Sequence, residues 1–192
     1  HQHDETLLAT HQLRGERALA PPGTSPVPDV KAALTPGEVL IDGGPFVMGT
    51  DDEPWAYDNE GPAHEVDVPP FLLDRLPVTN RDYLEFMHEG GYDDERLWTA
   101  DGWTWRNENV VDHPEFWRPG ANGFTVLRFG QRLAIGELLD QPVQHVSWYE
   151  ADAFVRWAGK RLPTEAEWEK AATWDPVAGR KRRYPWVDET PN

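Results

Sequence analysis

Residues 144–172, QHVSWYEADAFVRWAGKRLPTEAEWEKAA, constrain the fold of this chain more than any other stretch, because two helix starts and a helix stop follow one another in mutual agreement. Ser147 with Glu150 forms a capping box, in which hydroxyl and carboxylate each satisfy a backbone N–H that the first helical turn leaves unpaired. Trp148, Ala151, Phe154, Val155 and Ala158 then recur at helical spacing. Gly159 supplies the left-handed position that ends such a helix. Pro163 punctuates, Thr164 with Glu167 forms a second capping box, and Trp168, Ala171 and Ala172 line one face of the helix that follows. The pattern predicts two short amphipathic helices joined by a tight basic loop at Lys160-Arg161.

Outside this stretch the chain falls into unequal pieces. Residues 1–19 read as a helix with no visible start, with Leu7, Leu8, His11 and Ala18 along one side. Residues 20–37, APPGTSPVPDVKAALTPG, have the composition of a linker. From Glu38 onward short strands, turns and isolated helices alternate, and Thr79 with Asp82, Tyr83, Phe86 and Met87 predicts a further helix closing at Gly90-Gly91. The expected fold class is α+β with sparse regular structure, and helices near 79–89, 148–158 and 165–173. A single amphipathic helix does not bury its apolar side alone, so residues 1–19 are expected to belong to a bundle and to dock poorly on the rest. The chain opens on His1 and closes in what reads as mid-loop, so it is expected to be a fragment of a longer protein.

Composition narrows the function classes. Among 192 residues, 18 Lys and Arg stand against 34 Asp and Glu, a formal charge of −16. Such a surface repels phosphate backbones and anionic lipid, which argues against nucleic acid or membrane partners. No apolar run approaches the length of a membrane span. The chain has no cysteine, so it carries neither disulfides nor thiolate ligands, in keeping with a reducing cytoplasm. Ten tryptophans with 18 prolines and 16 glycines describe a loop-rich domain held by aromatic packing. Trp98, Trp103, Trp105 and Trp117 are read as core anchors rather than a stacking platform.

Candidate ligands crowd the first five residues, where His1, His3, Asp4 and Glu5 fall together. On a helix His1 and His3 point about 200° apart, and His3 and His11 share a face but are separated by about 12 Å along the axis, so no two of them share an ion. Asp4 and Glu5 are read as a solvated face. His145 is read as a core or strand-end histidine satisfied by backbone rather than a catalytic one, and Arg161 as a loop tie to Glu165, Glu167 or Glu169. Asp51, Asp52 and Glu53 are read as a turn with exposed carboxylates.

The 144–172 string resembles the signature of the formylglycine-generating enzyme (sulfatase-modifying factor) family, whose fold is related to C-type lectins. GGPFVMGTDDEP (43–54) resembles that family's opening hairpin, HEVDVPPFLLDRLPVTNRDYLEF (64–86) its second element, and YPWVDETPN (184–192) its PWG segment, with Val187 where the family has glycine. The resemblance covers residues 38–192. Gln2-His3-Asp4-Glu5-Thr6-Leu7 before the linker, with Gly90-Gly91-Tyr92, Leu97-Trp98 and Gly102-Trp103-Thr104-Trp105, resembles one subgroup, the sulfoxide synthases of ergothioneine biosynthesis (hercynine oxygenases). Those enzymes join a DinB-like four-helix bundle to the formylglycine-generating-enzyme-like domain. The resemblance implies that residues 1–19 are the bundle's last helix. It implies that His3 is one of three histidines binding Fe(II), and that Gln2 contacts the imidazole-bearing substrate. The substrates implied are trimethylhistidine, a cysteine-containing thiol and oxygen. The remaining histidines would fall before residue 1, and the catalytic tyrosine beyond Asn192. Two alternatives stand beside this reading: an ovothiol- or selenoneine-type synthase, and a non-catalytic lectin-like binding module.

Overall fold

A computed structural model describes residues 2–13, 35–54 and 56–185. In chain order the elements are α1 (Gln2–Leu13), β1 (Glu38–Ile41), β2 (Gly44–Met48), β3 (His64–Val68), β4 (Phe71–Asp74), α2 (Asn80–His88), α3 (Ala100–Glu108), β5 (Trp117–Gly120), β6 (Gly123–Arg128), β7 (Gln131–Ala134), α4 (Trp148–Trp157), α5 (Glu165–Thr173), β8 (Trp174–Asp175) and β9 (Arg180–Lys181). Helices and strands are mixed, as the α+β expectation requires, and the chain divides into two compact units. One comprises residues 1–34 and 77–162, the other residues 35–76 and 163–192. Residues 14–19 of the expected first helix, residues 20–34 of the expected 20–37 linker, and most of the 184–192 segment, Val187 included, lie outside the described residues.

All three capping boxes form. Glu150 N donates to Ser147 Oγ at 3.3 Å while Ser147 N donates to Glu150 Oε2 at 2.7 Å. The same reciprocal pair joins Thr79 with Asp82 and Thr164 with Glu167. Gly159 sits at φ +68°. Gly159 N–H bonds Arg156 O and Lys160 N–H bonds Val155 O, so the carbonyls at the end of α4 are satisfied by a Schellman motif. The end of α2 repeats the device, with Gly90 at φ +83° and Gly91 N–H on Phe86 O at 2.9 Å.

The larger unit packs α2 against α4 around Tyr83, Phe86, Tyr92, Trp98, Ala153, Phe154 and Val155. Phe86 is wholly buried, with the rings of Tyr83, Tyr92, Phe154 and Trp157 all 5.3–5.7 Å away. Trp98 is 5% exposed and its indole N–H donates to Gly91 O at 2.9 Å, while Trp117 is 2% exposed beside Ile135 and Leu138. Both are core anchors, as expected of them, and Trp103 and Trp105 pack partly buried against the first cluster. Helix α3 was not anticipated. Its cap is half a box, Gly102 N–H on Thr99 Oγ1 at 3.0 Å, and its residues show no apolar stripe for periodicity to detect.

In the smaller unit β1 pairs with β4 and β2 with β3, both antiparallel. The two ladders share one register, Ile41 opposite Phe71 and Gly44 opposite Val68, so they form a single ribbon interrupted at 42–43 and 69–70. Pro69 and Pro70 carry no backbone N–H, which explains the interruption. Residues 43–54 therefore do not make a hairpin of their own, contrary to the sequence reading: β2 takes its partner from 64–68, across the 49–63 loop. Phe46, Val68 and Phe71 form this unit's core, with Ala166 and Ala171 of α5 and with Trp174 packed on it.

Candidate functional site

The residues singled out for chemistry, Gln2 and His3, fall in the first turn of α1; their side chains lie outside the described part of the structure, as does all of His1. Among the described residues no group of three His, Cys, Asp or Glu side chains comes together to hold a metal ion. What the structure does define is how α1 is held. Of its described side chains only Gln12 is buried, 5% exposed, whereas Leu7 and Leu13 are 57% and 67% exposed. The Gln12 amide meets the turn between β6 and β7: Nε2 donates to Leu127 O at 2.7 Å, and Oε1 accepts from Phe129 N–H at 2.8 Å. Sequence reasoning gave Gln12 no role, and a glutamine in the last turn of an exposed helix offers no signal for one. The expectation that this helix docks poorly meets a definite contact, although a small one.

The second candidate is a cleft of about 980 Å³ within the smaller unit. Glu169 and Lys181 of its lining hold its own wall. Glu169 accepts from Gly49 N–H at 3.1 Å, Lys181 Nζ donates to Gly49 O at 2.8 Å, and Lys181 and Glu169 pair with each other. One residue just past β2, Gly49, is thus gripped at both its backbone donor and its backbone acceptor. Arg183 Nε reaches Glu53 Oε2 at 2.6 Å, and Asp51 Oδ1 accepts from Ala63 N–H at 2.9 Å. Asp51 thus ties the loop to its own far side, and Glu53 ties it to Arg183. Beside the cleft, Asp175 accepts from the backbone of Ala178 and Val177 and pairs with Arg182, which holds its carboxyl below the usual range.

Two further clusters of titratable groups lie in the larger unit. Tyr83 and Tyr92 hydroxyls are 3.1 Å apart, and Tyr92 donates to Glu150 Oε1 at 2.5 Å, with Glu150 3% exposed. Burial first, and then neighbouring charge, pushes both tyrosines far above their ordinary range, so they remain hydroxyl donors. This chain of hydrogen bonds ends on the carboxylate that caps α4 and closes without an open end, which is a structural role. His145 adopts φ +61° and lies edge-on to Phe116 with ring centroids 4.6 Å apart. Loss of hydration there lowers its pKa, Glu115 raises it and Arg128 lowers it. Arg161 Nη1 donates to Leu162 O at 3.1 Å.

Residues 24–192 match the family model described as the sulfatase-modifying factor enzyme 1-like domain. The chain belongs to the sulfatase-modifying factor family. Within that family it is 49% identical to a hercynine oxygenase of Mycolicibacterium thermoresistibile over 100% of this chain and 42% of that protein. A hercynine oxygenase of Mycobacterium tuberculosis is 50% identical over 99% of this chain and 44% of its own length. The inactive Cα-formylglycine-generating enzyme 2 of Mus musculus is 42% identical over 80% of this chain and 52% of its own. The chain thus spans under half the length of the hercynine oxygenases it matches. No described helix is long and apolar enough to cross a membrane.

Proposed function

We propose that this chain is part of an iron(II)- and oxygen-dependent sulfoxide synthase acting in ergothioneine biosynthesis in the cytoplasm. The reaction joins the imidazole carbon of trimethylhistidine (hercynine) to the sulfur of a cysteine-containing thiol. One C–H and one S–H bond break and a C–S bond forms; one oxygen atom of O₂ goes to sulfur, and the other leaves as water with the two hydrogens. The observation that carries the reading is identity of about half, along essentially the whole chain, to proteins named hercynine oxygenase. Residues 1–19 are then the closing helix of a DinB-like bundle, with Gln2 toward the imidazole substrate and His3 as one iron ligand. Iron(II) held by neutral imidazoles supplies open positions for substrate and oxygen. The ovothiol- and selenoneine-type alternatives keep this architecture and differ in the thiol or selenol donor.

A non-catalytic module is the second reading, favoured by the 42% identity to a mammalian protein named as inactive. Incubating the full-length protein with iron(II), oxygen, trimethylhistidine and a cysteine-containing thiol decides between them: coupled sulfoxide by mass spectrometry supports the synthase, and its absence with every such thiol supports the module. In the same protein His3→Ala should lose most of its bound iron in metal analysis while His11→Ala keeps it. Equal iron in the two variants removes His3 from the ligand set.

A further inference from the structure

The contact between Gln12 and the β6–β7 turn is unusual on both sides. Phe129 and Gly130 are the two central residues of that turn, at φ +46° and +81°. Positive φ at both positions is the geometry of a two-residue hairpin, which ordinarily takes Asn, Asp or Gly first, because a bulky side chain there is strained. Such strain persists where surrounding contacts over-determine the backbone. Here the contact is an amide from another element. Leu127 N–H bonds Phe116 O at 2.9 Å on the β5 side of β6. Gln12 continues that ladder beyond Phe116, which itself leaves the strand direction at φ +67°. Its Nε2 fills the acceptor at Leu127 and its Oε1 the donor two residues on, at Phe129, groups on the side of β6 that would otherwise face two successive partners on an antiparallel strand.

The rest of α1 adds little to this attachment. Among the described side chains of α1, Leu7, Ala9, Thr10 and Leu13 are exposed, and Gln12 is the buried one. Gln12 and His3 are nine residues apart, which puts their Cα positions on opposite sides of the helix and about 13.5 Å apart along it. A helix held at Gln12 presents its other side, and its first turn, in one setting against that turn.

We infer that Gln12 is a positioning residue: it latches α1 to the Phe129–Gly130 turn and so fixes where the first turn, with Gln2 and His3, stands relative to the β5–β6–β7 sheet. This rests on the reading of that turn as the substrate-bearing end of the helix. The test uses the full-length protein, with Gln12→Ala compared with the unaltered sequence. Hydrogen exchange at the Phe129 amide should speed up while amides of 150–157 stay protected. Affinity for trimethylhistidine by calorimetry without oxygen, and kcat/KM well below the melting temperature, should each fall about tenfold, the scale of losing the partner of the part-buried Leu127 O and Phe129 N–H.

A lower melting temperature with unchanged affinity and kcat/KM overturns the inference, since a purely structural contact behaves that way. If Gln12→Ala does not fold, Gln12→Glu replaces it. Its carboxylate still accepts from Phe129 N–H but faces Leu127 O without a proton to donate. Relative to the unaltered protein, its affinity should therefore be weak at pH 8 and recover as pH falls toward a carboxyl pKa raised by the facing carbonyl. No recovery also overturns the inference. Failure of the unaltered protein to bind trimethylhistidine sinks the functional reading instead, and the Phe129 exchange rate then judges the latch alone.

Discussion

Gly90 and Gly91 end the same helix for different physical reasons, and substitution separates them. At Gly91 an added Cβ would lie 2.0, 2.3 and 2.4 Å from Cε2, Cδ2 and Cζ of Phe86. Carbon atoms settle about 3.5–4.0 Å apart, so the ring or the backbone must move by about 1.5 Å. The ring has no room, being wholly buried among four other aromatic rings. The backbone is held by Gly91 N–H on Phe86 O and by Trp98 Nε1–H on Gly91 O, both at 2.9 Å. Gly91→Ala is therefore expected at the upper end of overpacking costs, about 3 kcal/mol. For a chain of this length that lowers Tm by about 6–12 °C. At Gly90 an added Cβ meets nothing within 4 Å, and only the left-handed conformation at φ +83° is penalised. Gly90→Ala should cost about 1 kcal/mol. Urea unfolding of both variants gives the comparison, and a double-mutant cycle with Phe86→Leu gives the cause. Truncating the ring should recover at least about 1 kcal/mol of the Gly91→Ala loss. Equal losses at the two glycines, or no coupling to Phe86, would refute the steric account.

Other expectations concern the buried hydrogen bonds and pH. Tyr92→Phe removes the hydroxyl that Glu150 accepts and should cost about 2 kcal/mol in urea unfolding, because that carboxylate is shut away from water; a loss under about 0.5 kcal/mol would show that water reaches it. His145 has its pKa lowered in the folded state, so the unfolded chain takes up the proton first as pH falls. Stability from this group is full above the unfolded value of about 6.5 and declines as pH drops below it. His145→Asn, which tolerates the same backbone conformation, should flatten the stability profile between pH 7 and 5; an unchanged slope would assign it to other groups.

The helices were legible wherever hydroxyl and carboxylate stood three residues apart before an apolar stripe, as at Thr79, Ser147 and Thr164. They were illegible where one half of that signal was missing, as at Thr99 before α3. The strands were legible as strands, but not their pairing. The partner of β2 depends on a loop of fifteen residues closing, and local sequence does not encode such closure. At the candidate site, motif resemblance pointed to the start of α1, whereas Gln12 became visible only when Leu127 and Phe129, more than a hundred residues away, were placed beside it. A side chain whose importance comes wholly from a distant backbone leaves no local trace.

The interrupted ribbon has a further consequence for solubility. Exposed strand edges invite pairing with another copy of the same strand, and the risk grows with uninterrupted length. Leu40 and Leu72 face each other across the ribbon and are each 60% exposed, the kind of apolar pair that would favour such association. Pro69-Pro70 withholds one donor from the outer edge and one from the side facing the partner strand, and Pro45 withholds another on the opposite strand. Each remaining stretch of ladder is four or five residues long. The prolines that divide the sheet thereby deny a second chain a continuous template for growth.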